Sequence, residues 1–139
     1  MSSRAESSSS PRSVIVVDDE IKLASLFKTF LINSGYDTVS FSDPLVALEH
    51  FKDSSAKHSL IITDMRMPGM CGIELAKRIR TLNENIKIFL MTAFDIVDLE
   101  NNPDFKVAKI NRLLQKPIRF SDLREMIKID LKDWLYVIL

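Results

Sequence analysis

Two short runs, Val14-Ile15-Val16-Val17 and Leu60-Ile61-Ile62, are apolar at every position. A strand with one wetted face alternates apolar and polar residues. A strand that is apolar throughout is buried on both faces, as in a parallel sheet covered by helices. The segments between these runs carry helical spacing. Leu23, Leu26, Phe27, Phe30 and Leu31 mark a helix from about Ile21 to Asn33, and Gly35 stands where a C-terminal cap belongs. The unit then recurs. Thr38 to Phe41 predicts a strand, and Asp43 with Pro44 opens a helix through Leu48 and Phe51. Leu60-Ile61-Ile62 ends in Thr63-Asp64, and the turn formers of Met67-Pro68-Gly69-Met70 lead to a helix bearing Ile73, Leu75, Ala76 and Ile79. Ile86 to Met91 and Ile110 to Gln115 predict two further strands, and Ser121 is placed as the cap of a last helix with Leu123, Ile127 and Leu131. Between those two strands, Pro103 is expected to stop any helix that begins near Ile96. Five strand–helix units imply a doubly wound α/β fold, and if the order is 2-1-3-4-5 the first and third strands are neighbours.

Composition narrows the function classes. With 19 basic and 19 acidic side chains in 139 residues the formal charge is zero, which argues against broad electrostatic binding of nucleic acid or of an anionic membrane. No apolar run approaches the roughly 18 residues that span a bilayer. The single cysteine, Cys71, excludes an internal disulfide and a cysteine-based zinc cluster, and reads as a neutral loop residue. Residues 1–12 are serine-rich, lack the apolar core of a signal peptide, and read as a disordered lead; a cytoplasmic location is expected. His50 and His58 have no spacing partners and read as surface residues.

The chemistry lies at the carboxyl ends of the strands, where open α/β sheets bind ligands. The first predicted strand ends in Asp18-Asp19 with Glu20 following, the third in Asp64, the fourth in Thr92-Ala93 and the fifth in Lys116-Pro117. Carboxylates that converge repel one another, so one takes up a proton unless a cation sits among them. Hard oxygen donors suit Mg²⁺, which takes one or two carboxylates and keeps several waters. Lys116 offers a compact positive charge and Thr92 a hydroxyl donor to phosphoryl oxygens, while Ala93 leaves room beside them. Such a pocket suits phosphoryl transfer to a carboxylate nucleophile, a reaction governed by positioning and charge stabilisation.

The segments Val-Val-Asp-Asp-Glu (16–20), Ile-Ile-Thr-Asp-Met-Arg-Met-Pro-Gly-Met-Cys-Gly-Ile-Glu-Leu (61–75), Met-Thr-Ala (91–93) and Gln-Lys-Pro (115–117) resemble the response-regulator receiver family over about residues 13 to 132. The resemblance implies a flavodoxin-like fold and Asp64 as phosphoacceptor. It implies Asp19, Asp64 and the backbone carbonyl of Arg66 as direct Mg²⁺ ligands, with Asp18 acting largely through water. Thr92 and Lys116 are the implied phosphoryl-sensing pair, and the Lys116-Pro117 bond is expected to be cis. The implied donor is a separate histidine kinase or phosphotransfer protein, and the implied output is a partner protein rather than turnover catalysis.

Taken singly, each of these residues has a plainer reading: the aspartates as helix caps, Thr92 as a turn residue and Lys116 as a solvated lysine. Their joint placement favours the chemical one. Two departures bear on output. Leu113 stands where receivers usually carry Tyr or Phe, and Val107-Ala108-Lys109 replaces the common Gly-Ala. A pseudo-receiver acting as a phosphate-independent interaction module is therefore the alternative, with Leu113 its main support. A haloacid-dehalogenase-type phosphatase needs a second carboxylate two residues after the nucleophile, where this chain has Arg66. Arg66 and Phe94 flank the expected path of the hydrolytic water, and Phe94 is a candidate shield of an acyl phosphate.

The last helix keeps apolar spacing through Trp134 or Leu135 and Ile138, so residues 133–139 form an apolar extension beyond what the fold needs. Self-association through this extension is expected. A chain ending at Lys132 should scatter light as a smaller species than the full chain, and equal masses would remove the idea.

Overall fold

The computed structural model describes residues 12–93 and 96–132; Phe94, Asp95 and the apolar extension lie outside them. In chain order the elements are β1 (Ser13–Val17), α1 (Ile21–Asn33), β2 (Asp37–Phe41), α2 (Pro44–Ser54), β3 (Leu60–Asp64), α3 (Gly72–Leu82), β4 (Lys87–Thr92), α4 (Ile96–Glu100), α5 (Pro103–Ala108), β5 (Arg112–Gln115) and α6 (Phe120–Leu131). The strands form one five-stranded sheet in the order β2-β1-β3-β4-β5, with every pair parallel. This is the expected doubly wound architecture.

Two-sided burial is visible residue by residue in β1. Val14 and Val16 join Phe27 and Leu31 of α1 and Leu123, Ile127 and Leu131 of α6 on one face. Ile15 and Val17 point the other way, into a layer with Leu48 and Phe51 of α2, Leu75 and Ile79 of α3, and Ala108 of α5. Burying a side chain of this size contributes roughly 1.5–3 kcal/mol. Both faces of the strand are therefore committed to core, and polar chemistry is left to the strand ends.

Local signals set most helix limits. At the end of α1, Gly35 takes φ +99°, while Tyr36 N–H donates to Leu31 O and Gly35 N–H to Ile32 O, the double bond of a left-handed helix cap. Asp43 caps α2 by accepting from Leu45 N–H at 2.9 Å, with Pro44 in the first turn. The stretch before β5 differs from expectation. Pro103 does follow the end of α4, but it also opens α5, whose cap is Asn102 accepting from Asp104 N–H. Proline fits a first helical turn because the N–H it lacks has no helical partner there. Lys109 then adopts φ +52°, the left-handed position that ends α5. The buried Arg80 holds this reversal by donating to the carbonyls of Ile86, Ala108 and Lys109.

Two other expectations are corrected. Ser121 does not cap the last helix: α6 begins at Phe120 after Arg119, which makes no side-chain cap bond. Phe120 stacks on Phe30 at 4.5 Å between ring centroids and meets Phe27 edge-on at 5.3 Å, so packing fixes the start of the helix. His58 is not a surface residue; it is 5% exposed, and its Nδ1 lies 2.7 Å from Ser13 Oγ. Its Nε2 lies 3.0 Å from Nε2 of the half-buried His50. The polar neighbours Lys57 and Ser59 conceal this in the sequence, because both bonding partners are distant along the chain.

Burial, reinforced by His50 and Lys57, lowers the His58 pKa from 6.5 to about 4. Above the unfolded-state value both states hold a neutral ring. Between about 6.5 and about 4 the unfolded chain binds the extra proton, so stability falls as the pH falls through that window. Urea titrations at pH 7 and pH 4.5 should differ by a His58-dependent component on the order of 2 kcal/mol. His58→Gln should remove that component, and an unchanged pH slope would refute the assignment.

Candidate functional site

The parallel register brings the polar strand ends to one rim. Asp18 follows β1 directly and is fully buried; its N–H donates to Phe41 O of β2. One of its carboxylate oxygens accepts from Glu20 N–H at 3.0 Å. Asp64 ends β3, is 8% exposed, and accepts from Met65 N–H at 2.9 Å. Asp19 is exposed beside them. Carboxylate oxygens of Asp18, Asp19 and Asp64 all lie within 4.8 Å of one another. Among the described residues they are the one group of three or more His, Cys, Asp or Glu side chains with such an arrangement.

Lys116 completes the charge pattern. Its Nζ lies 3.3 Å from Asp18 Oδ2 and 3.3 Å from Asp64 Oδ2, bridging two buried carboxylates. The Lys116-Pro117 bond is cis, and Lys116 N–H donates to Thr92 O at 2.8 Å, joining the ends of β4 and β5. Thr92 is buried at the tip of β4, one residue past the Asp64–Met91 register pair. Burial and the neighbouring Asp18 raise the Asp64 pKa, with Lys116 and the Met65 N–H opposing. For Lys116, burial pulls downward but Asp18 and Asp64 outweigh it and hold the ammonium above its ordinary range. The site thus contains a proton-attracting carboxylate and a firmly charged lysine in contact.

The donor set is all oxygen, acidic and partly open to solvent, which suits a hard divalent cation that retains waters. Asp19, Arg66, Met67, Pro68 and Cys71 line a cavity of about 410 Å³ alongside. Arg66 is exposed on this loop and shares the cavity wall with Asp19. Cys71, half-buried, precedes α3. Leu113 packs against Ile73, Leu90 and Leu99, so the position expected to hold an aromatic ring joins an aliphatic cluster.

The sequence reading missed the role of Gly72. It opens α3, and its N–H donates to Met65 O at 2.8 Å. A Cβ there would collide with the Asp64 carbonyl and with the Leu90 side chain. A hydrogen at this position is what lets α3 lie against the strand end that carries Asp64. The only available signal was a glycine in the first turn of a predicted helix.

The family model of the response regulator receiver domain matches residues 14–128. The chain belongs to the response-regulator receiver family, whose general function is phosphoryl acceptance in two-component signalling. It is 29% identical to sporulation initiation phosphotransferase F of Bacillus subtilis, over 83% of this chain and 90% of that protein. It is 31% identical to response regulator receiver protein CpdR of Brucella abortus, over 79% of this chain and 88% of that one. A crystal structure of response regulator protein TrrA from Thermotoga maritima, in complex with Mg²⁺-BeF, superposes with a TM-score of 0.74 at 29% identity, covering 86% of this chain and 98% of that one. No described helix is long and apolar enough to cross a membrane.

Gly72→Ala should cost about 1–3 kcal/mol in denaturant unfolding through overpacking. An unchanged unfolding midpoint would show that α3 can draw back without loss.

Proposed function

We propose that the chain is a phosphorylation-dependent signalling switch in which Asp64 accepts a phosphoryl group with Mg²⁺ bound at the acidic rim. The observation that carries this reading is the convergence of Asp18, Asp19 and Asp64 within 4.8 Å, with the Lys116 ammonium between Asp18 and Asp64. Asp19, Asp64 and the Arg66 carbonyl would hold the metal, and Asp18 would act mainly through its waters. Bound Mg²⁺ supplies charge neutralisation of the incoming phosphoryl oxygens and of the acidic cluster.

In the transfer, an Asp64 carboxylate oxygen forms a bond to phosphorus as the bond from phosphorus to the donor's imidazole nitrogen breaks. The product is an acyl phosphate, and the donor ring leaves as neutral histidine once it takes a proton. Lys116 keeps Asp64 ionised for this step and then pairs with a phosphoryl oxygen. Thr92, buried at the end of β4, donates its hydroxyl to another. Raised proton affinity at Asp64 means that acceptance fails from a higher pH, as acidity increases, than for an ordinary carboxylate.

The donor is proposed to be a histidine kinase or phosphotransfer protein, and the output a protein contact, with no direct nucleic-acid binding by this domain. Self-association through the last helix belongs to the same reading, as does a cytoplasmic setting. Leu113 in its aliphatic cluster implies that output runs by repacking against Ile73, Leu90 and Leu99 rather than by rotation of a ring.

Incubation with acetyl phosphate and Mg²⁺ should add one phosphoryl group by intact-mass measurement. Asp64→Asn should abolish the addition and EDTA should suppress it. A wild-type chain that takes up neither phosphoryl nor beryllofluoride would favour the phosphate-independent module.

A further inference from the structure

A second polar cluster lies at the opposite, amino-terminal end of the sheet. It consists of Ser13 at the start of β1, His50 and Ser54 on α2, and His58 just before β3. The two imidazoles face each other through Nε2 atoms 3.0 Å apart, with ring centroids separated by 5.1 Å. Ser54 Oγ, which donates its proton to His50 O, lies 3.3 Å from His58 Nε2 and presents lone pairs toward it. On the far side of the ring, His58 Nδ1 is fixed by Ser13 Oγ at 2.7 Å.

We propose that His50 and His58, with Ser54 beside them, form a binding site for a divalent transition-metal ion of the zinc class, separate from the acidic rim. Zinc–nitrogen bonds run about 2.0–2.1 Å, so a tetrahedral ion places its two donor nitrogens about 3.3 Å apart. The observed 3.0 Å separation therefore needs only a few tenths of an ångström of widening. Borderline imidazole donors select such ions over Mg²⁺, whereas the all-oxygen acidic rim has the opposite preference. Ser13 can serve as an outer partner of the bound ion: with Nδ1–H donating to its hydroxyl in the metal-bound tautomer, Nε2 of His58 would be the ligand. Water would fill the coordination positions that these side chains leave.

Access agrees with this. His58 lies on the wall of a surface groove of about 920 Å³, together with Ser55, Ala56, Ser59 and Asn83. Phe41 and Phe51 flank the imidazoles, giving the donors an apolar surround. The charge of Lys57 opposes a cation at His58, and Asp37 offsets part of that effect. Since His58 stays neutral well below pH 7, metal binding displaces no proton from it at physiological pH. A bound ion would tie α2 to the starts of β1 and β3, on the side of the sheet away from Asp64.

The test is calorimetric titration of the full chain with Zn²⁺ at pH 7.5, in excess Mg²⁺ to occupy the acidic rim, alongside nitrogen NMR of the histidine rings. The wild type should take up one Zn²⁺, with the Nε2 resonances of both His50 and His58 shifted and the thermal midpoint raised. His50→Ala, at a half-buried helix position where folding should survive, should weaken uptake at least tenfold; Ser13→Ala should weaken it about tenfold. Equal Zn²⁺ affinity in wild type and His50→Ala would overturn the proposal. So would unshifted Nε2 signals at saturating Zn²⁺, leaving the pair as a hydrogen bond only. Neither result touches phosphoryl acceptance at Asp64.

Discussion

The sheet is covered on both faces, and the rest of the molecule follows from that constraint. Val14 and Val16 are committed to the α1–α6 layer, and Ile15 and Val17 to the α2–α3–α5 layer, so the strands have no solvated face on which to place chemistry. Charged groups can enter only where the strands end. At the carboxyl ends the parallel register brings Asp18, Asp64, Thr92 and Lys116 to one rim. A fully buried Asp18 and a nearly buried Asp64 are offset by Lys116, which lies 3.3 Å from each, and by the backbone N–H groups of Glu20 and Met65. Removing one member of such a set leaves an uncompensated buried charge, which costs more than the pair itself contributes.

This arrangement also explains why the site is electrostatically poised. Burial and Asp18 push Asp64 toward protonation while Lys116 pulls it back. Hard oxygen donors at that spacing have the chemistry that suits a divalent cation, whose charge would offset the crowded carboxylates. The geometry depends on backbone contacts as much as on the ionisable groups. Gly72 lets α3 approach the Asp64 carbonyl, and Lys116 N–H locks onto Thr92 O.

The departures from the family pattern are local and conformational. Lys109 takes the left-handed turn itself, and Arg80 satisfies the carbonyls that this turn leaves without helical partners. Leu113 substitutes bulk for a ring and joins an existing aliphatic cluster. The acidic rim keeps Asp18, Asp19, Asp64 and Lys116 together beside these local departures.

The five strands and the strand-end residues were legible in the sequence, because the central strands write apolar runs that lead to polar end groups, whereas the strand order entered only through the resemblance. The Asp43 cap and the Gly35 turn were legible for the same reason: their chemistry acts within four residues. Other features depended on partners far away in the chain. Phe120 packing on Phe27 and Phe30 set the start of α6 and displaced Ser121 from the capping role. Asn102 with Pro103 opened a second short helix in a stretch that sequence alone marked only as interrupted. His58 looked like a surface residue until Ser13 and His50 were placed against it. The sequence by itself determined which side chains stand at the strand ends, since alternation and burial are local patterns. Only the tertiary structure decided which of them touch, because contact between residues tens of positions apart is settled by packing and not by spacing.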